Sequence, residues 1–241
     1  MNNGQERLSI IMPVYNEEEI IETVVKDWHD TLTSLNIDFE IRCYNDGSRD
    51  QTADILGGLT GTYPRLVVIN KVNTGHGPSI LQGYLDASGS DWVFQVDSDN
   101  EIRADQFSAF WDLREDHDFL LGKRSHSDFP LSRQVISYFA WLVVRLGFSA
   151  TIKDVNSPYR LFRSSVVSPL IKLIPRDTFA PNVLLTGLVC AKKLRVKEMQ
   201  IVNSFRQTGT VSIKHWKLFK VAVRSFRESI SFVFKHRNSF S

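Results

Sequence analysis

Two aspartates separated by one residue are the side chains of this sequence best suited to chemistry. Asp97 and Asp99 follow the apolar run Trp92-Val93-Phe94-Gln95-Val96, and Glu101 comes two positions later. A short apolar run bounded by polar residues predicts a buried strand of a parallel sheet, and ligands bind outside the carboxyl ends of such strands. Neighbouring carboxylates repel each other unless a cation lies between them, and hard oxygen ligands suit Mg²⁺ or Mn²⁺. An isolated Asp-x-Asp is equally a polar turn that caps the next helix, so the functional interpretation depends on the surrounding motifs.

Length and composition exclude several classes of protein. The chain has 241 residues, enough for one large domain or two small ones, and its 42% hydrophobic and 23% charged residues are ordinary for a globular enzyme. A net charge of +2 is too small for a dedicated nucleic-acid binder. Cys43 and Cys190 lie in apolar stretches, which predicts reduced core residues of a cytoplasmic protein. The best apolar run, 135–148, is too short to span a bilayer and contains Arg145, whereas a peripheral contact with the inner membrane face stays open.

Apolar runs alternate with helical periodicity through the first hundred residues. Strands are predicted at 8–12, 39–44, 66–70 and from Trp92, and helices after the first strand, over 52–59 and over 78–87. This alternation implies right-handed βαβ units and a parallel sheet covered on both faces. Further strands are predicted at 119–122 and 194–202. Asn16 is predicted to cap the first helix, with Glu17 and Glu18 in its first turn.

Each loop that follows a predicted strand carries groups that a nucleotide sugar could use. Tyr15 could pack on a base, Glu17 could accept a hydrogen bond from its edge, and Asp46 could bind base or ribose. Gly75 and Gly77 would let the backbone approach the ligand closely. Taken singly, each residue also has a purely structural interpretation. Their placement on successive strand ends, converging on the acids, favours a ligand site.

Four motifs occur in an order that resembles family 2 glycosyltransferases with the GT-A fold. They are Pro13-Val14-Tyr15-Asn16-Glu17, Asn45-Asp46-Gly47-Ser48, Asn73-x-Gly75-x-Gly77 and Asp97-x-Asp99. Within the family the chain is most similar to polyprenyl- or dolichyl-phosphate sugar transferases. The resemblance implies an α/β fold with a mostly parallel central sheet and helices on both faces. It also implies a domain over 1–215, with a nucleotide-sugar half at about 1–101 and an acceptor half at about 102–215, followed by a basic amphipathic helix over 216–241.

The resemblance implies a UDP- or GDP-linked sugar as donor and a divalent cation, Mg²⁺ or Mn²⁺. The donor-binding residues are then Pro13, Tyr15, Glu17, Asp46, Gly75, Gly77 and Asp97. The metal ligands are Asp97, Asp99 and Glu101, and Asp99 is also predicted to be catalytic. Glu101 stands where polyprenyl-phosphate transferases have a glutamine, so the metal preference of this chain could differ.

The downstream half carries the residues expected to meet the acceptor. Arg124, Arg133 and Ser137 match by position the basic and hydroxyl residues that bind the acceptor phosphate in polyprenyl-phosphate transferases. The segment 131–148 reads as a mainly apolar helix, either buried against the sheet or lying at a membrane interface with its arginines on a phosphate. The helix over 216–241 has the same two interpretations, a docked helix with a solvated basic face or a helix lying on anionic lipid.

Two further residues have predicted catalytic roles. Asp154 fits the family's Asp-x-x-x-Gly-aromatic-basic motif, although Pro158 replaces the usual glycine. It could be the base that takes the acceptor's proton, or it could orient a hydroxyl or Arg160, since a phosphate acceptor is already an anion. Arg206 belongs to a segment that resembles the family's Arg-x-x-Gly-x-Ser loop, with one residue added before the serine. It would neutralise the departing diphosphate as the loop closes and excludes water.

These observations predict a metal-dependent, inverting glycosyltransferase that moves a sugar to a polyprenyl phosphate at the membrane surface. One alternative is a saccharide hydroxyl as acceptor, with Asp154 as a true base. A rival from another class is a non-catalytic nucleotide-binding module that docks on a membrane partner. Many relatives continue into transmembrane helices at the C-terminal segment and this sequence does not, which either weakens the lipid-acceptor assignment or makes a membrane-spanning partner necessary. Nucleotidyl transfer would require a basic glycine-rich loop after the first strand, which the sequence lacks.

Overall fold

The computed structural model describes residues 6–125, 138, 141, 142, 145, 152–203, 228, 231 and 232. The strands are β1 (Arg7–Val14), β2 (Asp38–Asn45), β3 (Leu66–Asn70), β4 (Trp92–Gln95), β5 (Phe119–Lys123), β6 (Arg160–Arg163) and β7 (Val196–Gln200). The α-helices in this part of the chain are α1 (Ile21–Ser34), α2 (Thr52–Thr62), α3 (His76–Asp86), α4 (Phe107–Asp112), α5 (Ser164–Ile171) and α6 (Pro181–Ala191). Short 3₁₀ turns lie at Ala104–Gln106 and Arg114–Asp116.

The strands form one seven-stranded sheet in the order β3-β2-β1-β4-β6-β5-β7. β3, β2, β1 and β4 are parallel, β6 is antiparallel to both of its neighbours, and β5 pairs with β7 in parallel. The predicted mostly parallel α/β sheet is therefore confirmed. The antiparallel β6 was not predicted, because its four residues begin and end with arginine and show no periodicity.

The central strands are buried on both faces, which explains their continuous apolar runs. On one face Ile10 of β1 and Phe94 of β4 pack with α1, whose Trp28 ring lies 5.3 Å from the Phe94 ring between centroids. On the other face Ile11 of β1 belongs to a second apolar cluster that includes Leu184 of α6. Helices thus cover both faces, as the sequence predicts.

The first helix begins later than the sequence predicts. Asn16 does not cap it, because α1 starts at Ile21 and the acid in its first turn is Glu22. Asn16 instead has a left-handed backbone, with φ of 54°. Its side chain and backbone bond to the loop after β2, and these contacts hold residues 15–19 outside the helix.

Three further predicted features can be located in the described residues. In the segment 131–148, residues 138, 141, 142 and 145 are helical, and the others lie outside the described part. In the C-terminal segment the Glu228 carboxylate accepts hydrogen bonds from the Thr178 hydroxyl and the Phe179 N–H, both at 3.2 Å, and Phe232 is buried in the core. At these positions the C-terminal segment docks on the protein. No helix in the described ranges has the length and apolarity that crossing a membrane requires.

Candidate active site

The topology brings the loops of both halves to one edge of the sheet. β1 to β4 are parallel, so the residues that follow Val14, Asn45, Asn70 and Gln95 meet at their common carboxyl edge. β6 runs in the opposite direction, and its first residue, Arg160, pairs with Gln95. The segment 152–159, which enters β6, therefore reaches the same edge as the acids after β4. Most of the predicted site residues are brought together in this way.

The loops after β1 and β2 are tied to each other by short hydrogen bonds. The Asn16 N–H donates to the Ser48 hydroxyl and the Glu17 N–H to the Thr52 hydroxyl, each at 2.9 Å. The Arg49 N–H donates back to the Asn16 side-chain oxygen at 2.8 Å. These bonds fix the half-buried Tyr15 beside the loop that carries Asp46.

Asp46 is a buried carboxylate that organises the loop after β3. It pairs with the Lys71 ammonium group and accepts the backbone N–H groups of Thr74 at 2.9 Å and Gly75 at 2.8 Å. Burial raises the pKa of Asp46, but these donors outweigh burial and hold the pKa below its usual value. The carboxylate is therefore ionised at neutral pH and shapes the cleft. Its predicted contact with base or ribose stays a prediction.

Gly75, in the loop after β3, and Gly77, at the start of α3, are each favoured over other residues for a different structural reason. Gly75 has φ of 99°, a conformation that favours glycine. Gly77 is buried, and a Cβ atom there would lie 2.5 Å from the Thr178 carbonyl oxygen and 2.4 Å from that of Phe179. The close approach that Gly77 permits is thus to the chain's own backbone, whereas the sequence interpretation was an approach to ligand.

The acids after β4 are half-buried at the edge of the sheet. Asp99 accepts the Glu101 N–H at 3.1 Å, which shapes the turn. Asp97 Oδ1 lies 3.5 Å from the Gln95 side-chain nitrogen and 3.7 Å from Nε2 of the exposed His76. Side-chain nitrogens from two elements therefore face one oxygen of Asp97.

The acid pair suits a metal that is shared with substrate. Within the described ranges no three His, Cys, Asp or Glu side chains are grouped to hold one ion. Mg²⁺ is commonly bound through one or two carboxylates together with substrate phosphates and water. Asp97 and Asp99 fit that mode as two hard oxygen ligands at the mouth of β4. The assignment of Asp97, Asp99 and Glu101 as metal ligands stays a prediction.

Arg124 and Asp154 form a buried ion pair at this edge, within the predicted acceptor half. Arg124 Nε lies 2.8 Å from Asp154 Oδ2 and Nη2 lies 3.0 Å from Oδ1, and the two residues are 6% and 3% exposed. Burial lowers the pKa of Arg124, but the Asp154 carboxylate outweighs burial and raises it. Glu198 of β7 accepts the Asp154 N–H at 2.8 Å and fixes the loop. Arg160, which Asp154 was predicted to orient, donates instead to the backbone carbonyls of Ser157 and Asn182.

The remaining predicted residues lie outside the described part of the chain. These are Arg133 and Ser137, assigned to the acceptor phosphate, and Arg206, assigned to the diphosphate. Their roles stay predictions.

A buried polar cluster behind the acids was missed at the sequence level. Tyr84 of α3, Gln95 of β4 and Asn182 of α6 are hydrogen-bonded to one another. Gln95 could have indicated it, because a glutamine inside an apolar strand requires buried partners.

The chain matches the model of glycosyl transferase family 2 over residues 9–156, which includes all the strand-end loops described above. The chain belongs to this family. It is a glycosyltransferase, as the motifs predict.

Curated relatives match nearly the whole chain. The bactoprenol glucosyl transferase of Shigella phage SfV is 27% identical over 233 residues, which cover 94% of this glycosyltransferase and 73% of that protein. The undecaprenyl-phosphate 4-deoxy-4-formamido-L-arabinose transferase of Pectobacterium atrosepticum is 23% identical over 217 residues, covering 89% and 64%. The predicted similarity to polyprenyl-phosphate sugar transferases is therefore confirmed.

Solved structures of other glycosyltransferases share the fold. Glucosyl-3-phosphoglycerate synthase from Mycobacterium tuberculosis, in complex with Mn²⁺, UDP-glucose and phosphoglyceric acid, has a TM-score of 0.65 at 14% identity. The alignment covers 95% of this glycosyltransferase and 80% of the synthase. TarS 1–349 from S. aureus has a TM-score of 0.56 at 18% identity, covering 97% and 74%. The fold is thus GT-A.

Proposed function

We propose that this glycosyltransferase moves a sugar from a nucleoside-diphosphate sugar to a polyprenyl phosphate, with inversion at the anomeric carbon. The observation that carries the proposal is the position of Asp97 and Asp99 between two sets of loops. The loops after β1, β2 and β3 flank them on one side, and the Arg124–Asp154 pair lies on the other. One edge of the sheet can therefore hold a donor and an acceptor together.

The donor would occupy the cleft formed by the first three loops. Tyr15 offers a ring for the base, and Asp46 keeps the Gly75 loop in place beneath it. A divalent cation bound by Asp97 and Asp99 would neutralise the diphosphate as it leaves. Arg206 is proposed to place a second positive charge beside the departing diphosphate. The name of the Mycobacterium synthase complex, with Mn²⁺ and UDP-glucose, supports this assignment of ion and donor class.

The acceptor assignment follows from the state of Asp154. A carboxylate that receives two hydrogen bonds from a buried guanidinium is engaged as its counter-ion and is poorly placed to take a proton from the acceptor. A saccharide hydroxyl would require a base, whereas a phosphate oxygen is already anionic at neutral pH. A phosphate oxygen would attack the anomeric carbon from the face opposite the diphosphate, and the bond from that carbon to the diphosphate oxygen would break. The printed names of the relatives, which refer to bactoprenol and undecaprenyl phosphate, support a polyprenyl phosphate.

A membrane contact is part of this proposal, because a polyprenyl phosphate resides in a bilayer. Tyr138, Trp141 and Arg145 are helical and spaced to share one side of the helix, where Tyr138 and Arg145 are exposed and the half-buried Trp141 packs against the apolar core. Tyr138 is 56% exposed, and the Arg145 guanidinium lies 4.9 Å from the centre of the Trp141 ring. Aromatic rings with polar tips and long cationic side chains suit the membrane interface. We assign this face to the lipid surface.

The proposal is tested by sugar transfer in detergent micelles that contain undecaprenyl phosphate. Labelled UDP-glucose and other UDP- and GDP-linked sugars are supplied with Mn²⁺ or Mg²⁺, and organic-phase label is counted. We expect lipid-linked label that disappears with chelator and in Asp99→Ala. Asp105→Ala, which removes an exposed aspartate from the 3₁₀ turn after the acids, should keep it. Label found only in water-soluble saccharide would contradict the phosphate acceptor, and the absence of transfer from any donor would contradict the function.

A further inference from the structure

Three buried polar side chains form a closed hydrogen-bonded cluster directly behind the acid pair. The Tyr84 hydroxyl lies 2.7 Å from Gln95 Oε1 and 2.8 Å from Asn182 Oδ1. Asn182 Nδ2 donates to Gln95 Oε1 at 2.9 Å. Tyr84 and Gln95 are fully buried and Asn182 nearly so. We refer to these residues as the Tyr84–Gln95–Asn182 triad.

The triad determines which way the Gln95 amide points. Gln95 Oε1 lies against two donors, the Tyr84 hydroxyl and the Asn182 amide. Rotating only the Gln95 amide by half a turn would place its NH₂ group against the Asn182 NH₂ group, and rotating both amides would turn the Gln95 oxygen toward the Asp97 carboxylate. Gln95 Nε2 must therefore face outward, where it lies 3.5 Å from Asp97 Oδ1.

The same triad joins the two halves of the site. Tyr84 lies in α3, which follows the donor loop of Gly75, whereas Asn182 lies in the first turn of α6 in the downstream half. The Asn182 carbonyl accepts a hydrogen bond at 3.1 Å from Arg160, which is fully buried and pairs with Gln95 across β4 and β6. Polar contacts thus run from Asp97 through Gln95 and Asn182 to Arg160.

Burying three polar side chains lowers the stability of the core relative to apolar side chains at the same positions. Buried polar groups cost stability unless all are satisfied, and a satisfied network makes an arrangement unique. Gln95 is also the last residue of β4, immediately before the segment that carries the acids. A position so close to Asp97 links the cluster to ligand binding rather than to packing alone.

We propose that Tyr84, Gln95 and Asn182 are positioning residues, which hold the Asp97 carboxylate in the orientation that receives a metal–nucleotide complex. The inference rests on the proposed function. Gln95 limits rotation of Asp97 by offering an N–H to one oxygen, and Tyr84 and Asn182 fix Gln95. Loss of one triad member lets Asp97 rotate, so the metal-dependent part of nucleotide affinity falls while metal-independent affinity is kept.

The experiment compares the affinity of the full chain for UDP with Mn²⁺ and with EDTA, measured by titration calorimetry. The test variants are Tyr84→Phe, which removes only the hydroxyl, and Gln95→Met, which removes the amide. Tyr159→Phe is the matched control: Tyr159 is equally buried, and its hydroxyl has no hydrogen-bond partner in the described residues. Thermal unfolding shows that each variant folds. GDP is titrated in the same way, so the result does not depend on the base.

We expect each test variant to lose about tenfold in affinity with Mn²⁺, as for one lost buried hydrogen bond, and to be unchanged with EDTA. Tyr159→Phe should match the parental protein in both titrations. An equal loss with and without Mn²⁺, or parental affinity in both test variants, would overturn the positioning role while leaving the proposed function intact. A parental protein whose affinity for both nucleotides ignores Mn²⁺ would overturn the proposed function and this inference with it.

Discussion

The Asp154 carboxylate and the Arg124 guanidinium face each other across two parallel hydrogen bonds, both shielded from solvent. Arg124 directly follows β5, and Asp154 lies in the segment that enters β6. The pair therefore connects the loop of residues 152–159 to the end of β5. It also places Asp154, the predicted base, in direct contact with Arg124, which is predicted to bind the acceptor phosphate, so neither can be substituted without affecting the other.

Asp154→Asn should destabilise the protein by about 3–5 kcal/mol, because it leaves the Arg124 charge buried without its counter-ion. Urea unfolding of the two proteins measures the difference. The double variant Arg124→Met with Asp154→Leu removes both charges and should recover most of the loss. If Asp154→Asn unfolded at the parental urea concentration, the ion pair described here would be contradicted. Any loss of activity in Asp154→Asn must be compared with this structural cost before Asp154 is considered a base.

Gly77→Ala should destabilise the protein by about 1–3 kcal/mol, because the new methyl group would collide with the Thr178 and Phe179 carbonyl oxygens. The matched control is Gly58→Ala in α2, where a Cβ atom would meet nothing within 4 Å. That change should stabilise the helix by up to about 1 kcal/mol. Thermal unfolding of the two variants should thus shift in opposite directions. A shift in the same direction would show that α3 and residues 178–179 are not in contact.

The stability of the protein should depend on pH through Asp46. Its folded pKa is held below the usual value of 3.8, so its contribution to stability is complete above that value. The contribution is lost as the pH falls from about 4 through the folded pKa. Asp46→Asn should lower stability at neutral pH and flatten the acid end of the curve, as measured by urea unfolding from pH 7 to pH 2. Asp112→Asn, which changes an exposed aspartate of α4, should preserve the parental curve.

Substitution of the helical face at Tyr138 and Arg145 should weaken binding to anionic vesicles. In Tyr138→Ser with Arg145→Glu, an interfacial aromatic ring is lost and a positive charge becomes negative. One basic residue near an anionic surface contributes about 1 kcal/mol, so loss of the positive charge alone should lower binding roughly fivefold, and its reversal should lower binding further. Co-sedimentation with vesicles containing phosphatidylserine measures it. Arg103→Glu, which reverses an exposed charge elsewhere, is the control. Equal binding of both variants would assign the membrane contact to another surface.

The first hundred residues could be predicted from the sequence because their pattern is local. Each strand is a short apolar run, and each is followed at once by the polar residues of its loop. The parallel arrangement then places Tyr15, Asp46 and Asp97 at one edge without any further information. The predicted start of α1 was wrong because it depends on a distant part of the chain. Contacts between Asn16 and the loop after β2 keep residues 15–19 out of the helix.

The downstream half of the chain could be predicted less well because its contacts join residues far apart in the sequence. Asp154 meets Arg124 thirty positions away, and Asn182 meets Gln95 at a separation of 87. No periodicity marks such pairs. Gly77 shows the same limit, because a glycine beside a predicted ligand loop suggests an approach to ligand. Only the fold shows that the Thr178 and Phe179 carbonyls occupy that side.

The reversed direction of β6 has a consequence for how the two specificities can be altered. The loops after β1, β2, β3 and β4 follow their strands in the chain, whereas residues 152–159 precede β6. Because β6 is antiparallel to β4, both kinds of loop reach the same edge of the sheet. Inserting or deleting residues ahead of Arg160 would leave the register of β1, β2, β3 and β4 unchanged. Under the proposed function, replacing residues 152–159 with the corresponding segment of a relative should therefore change the acceptor and leave the nucleotide preference unchanged.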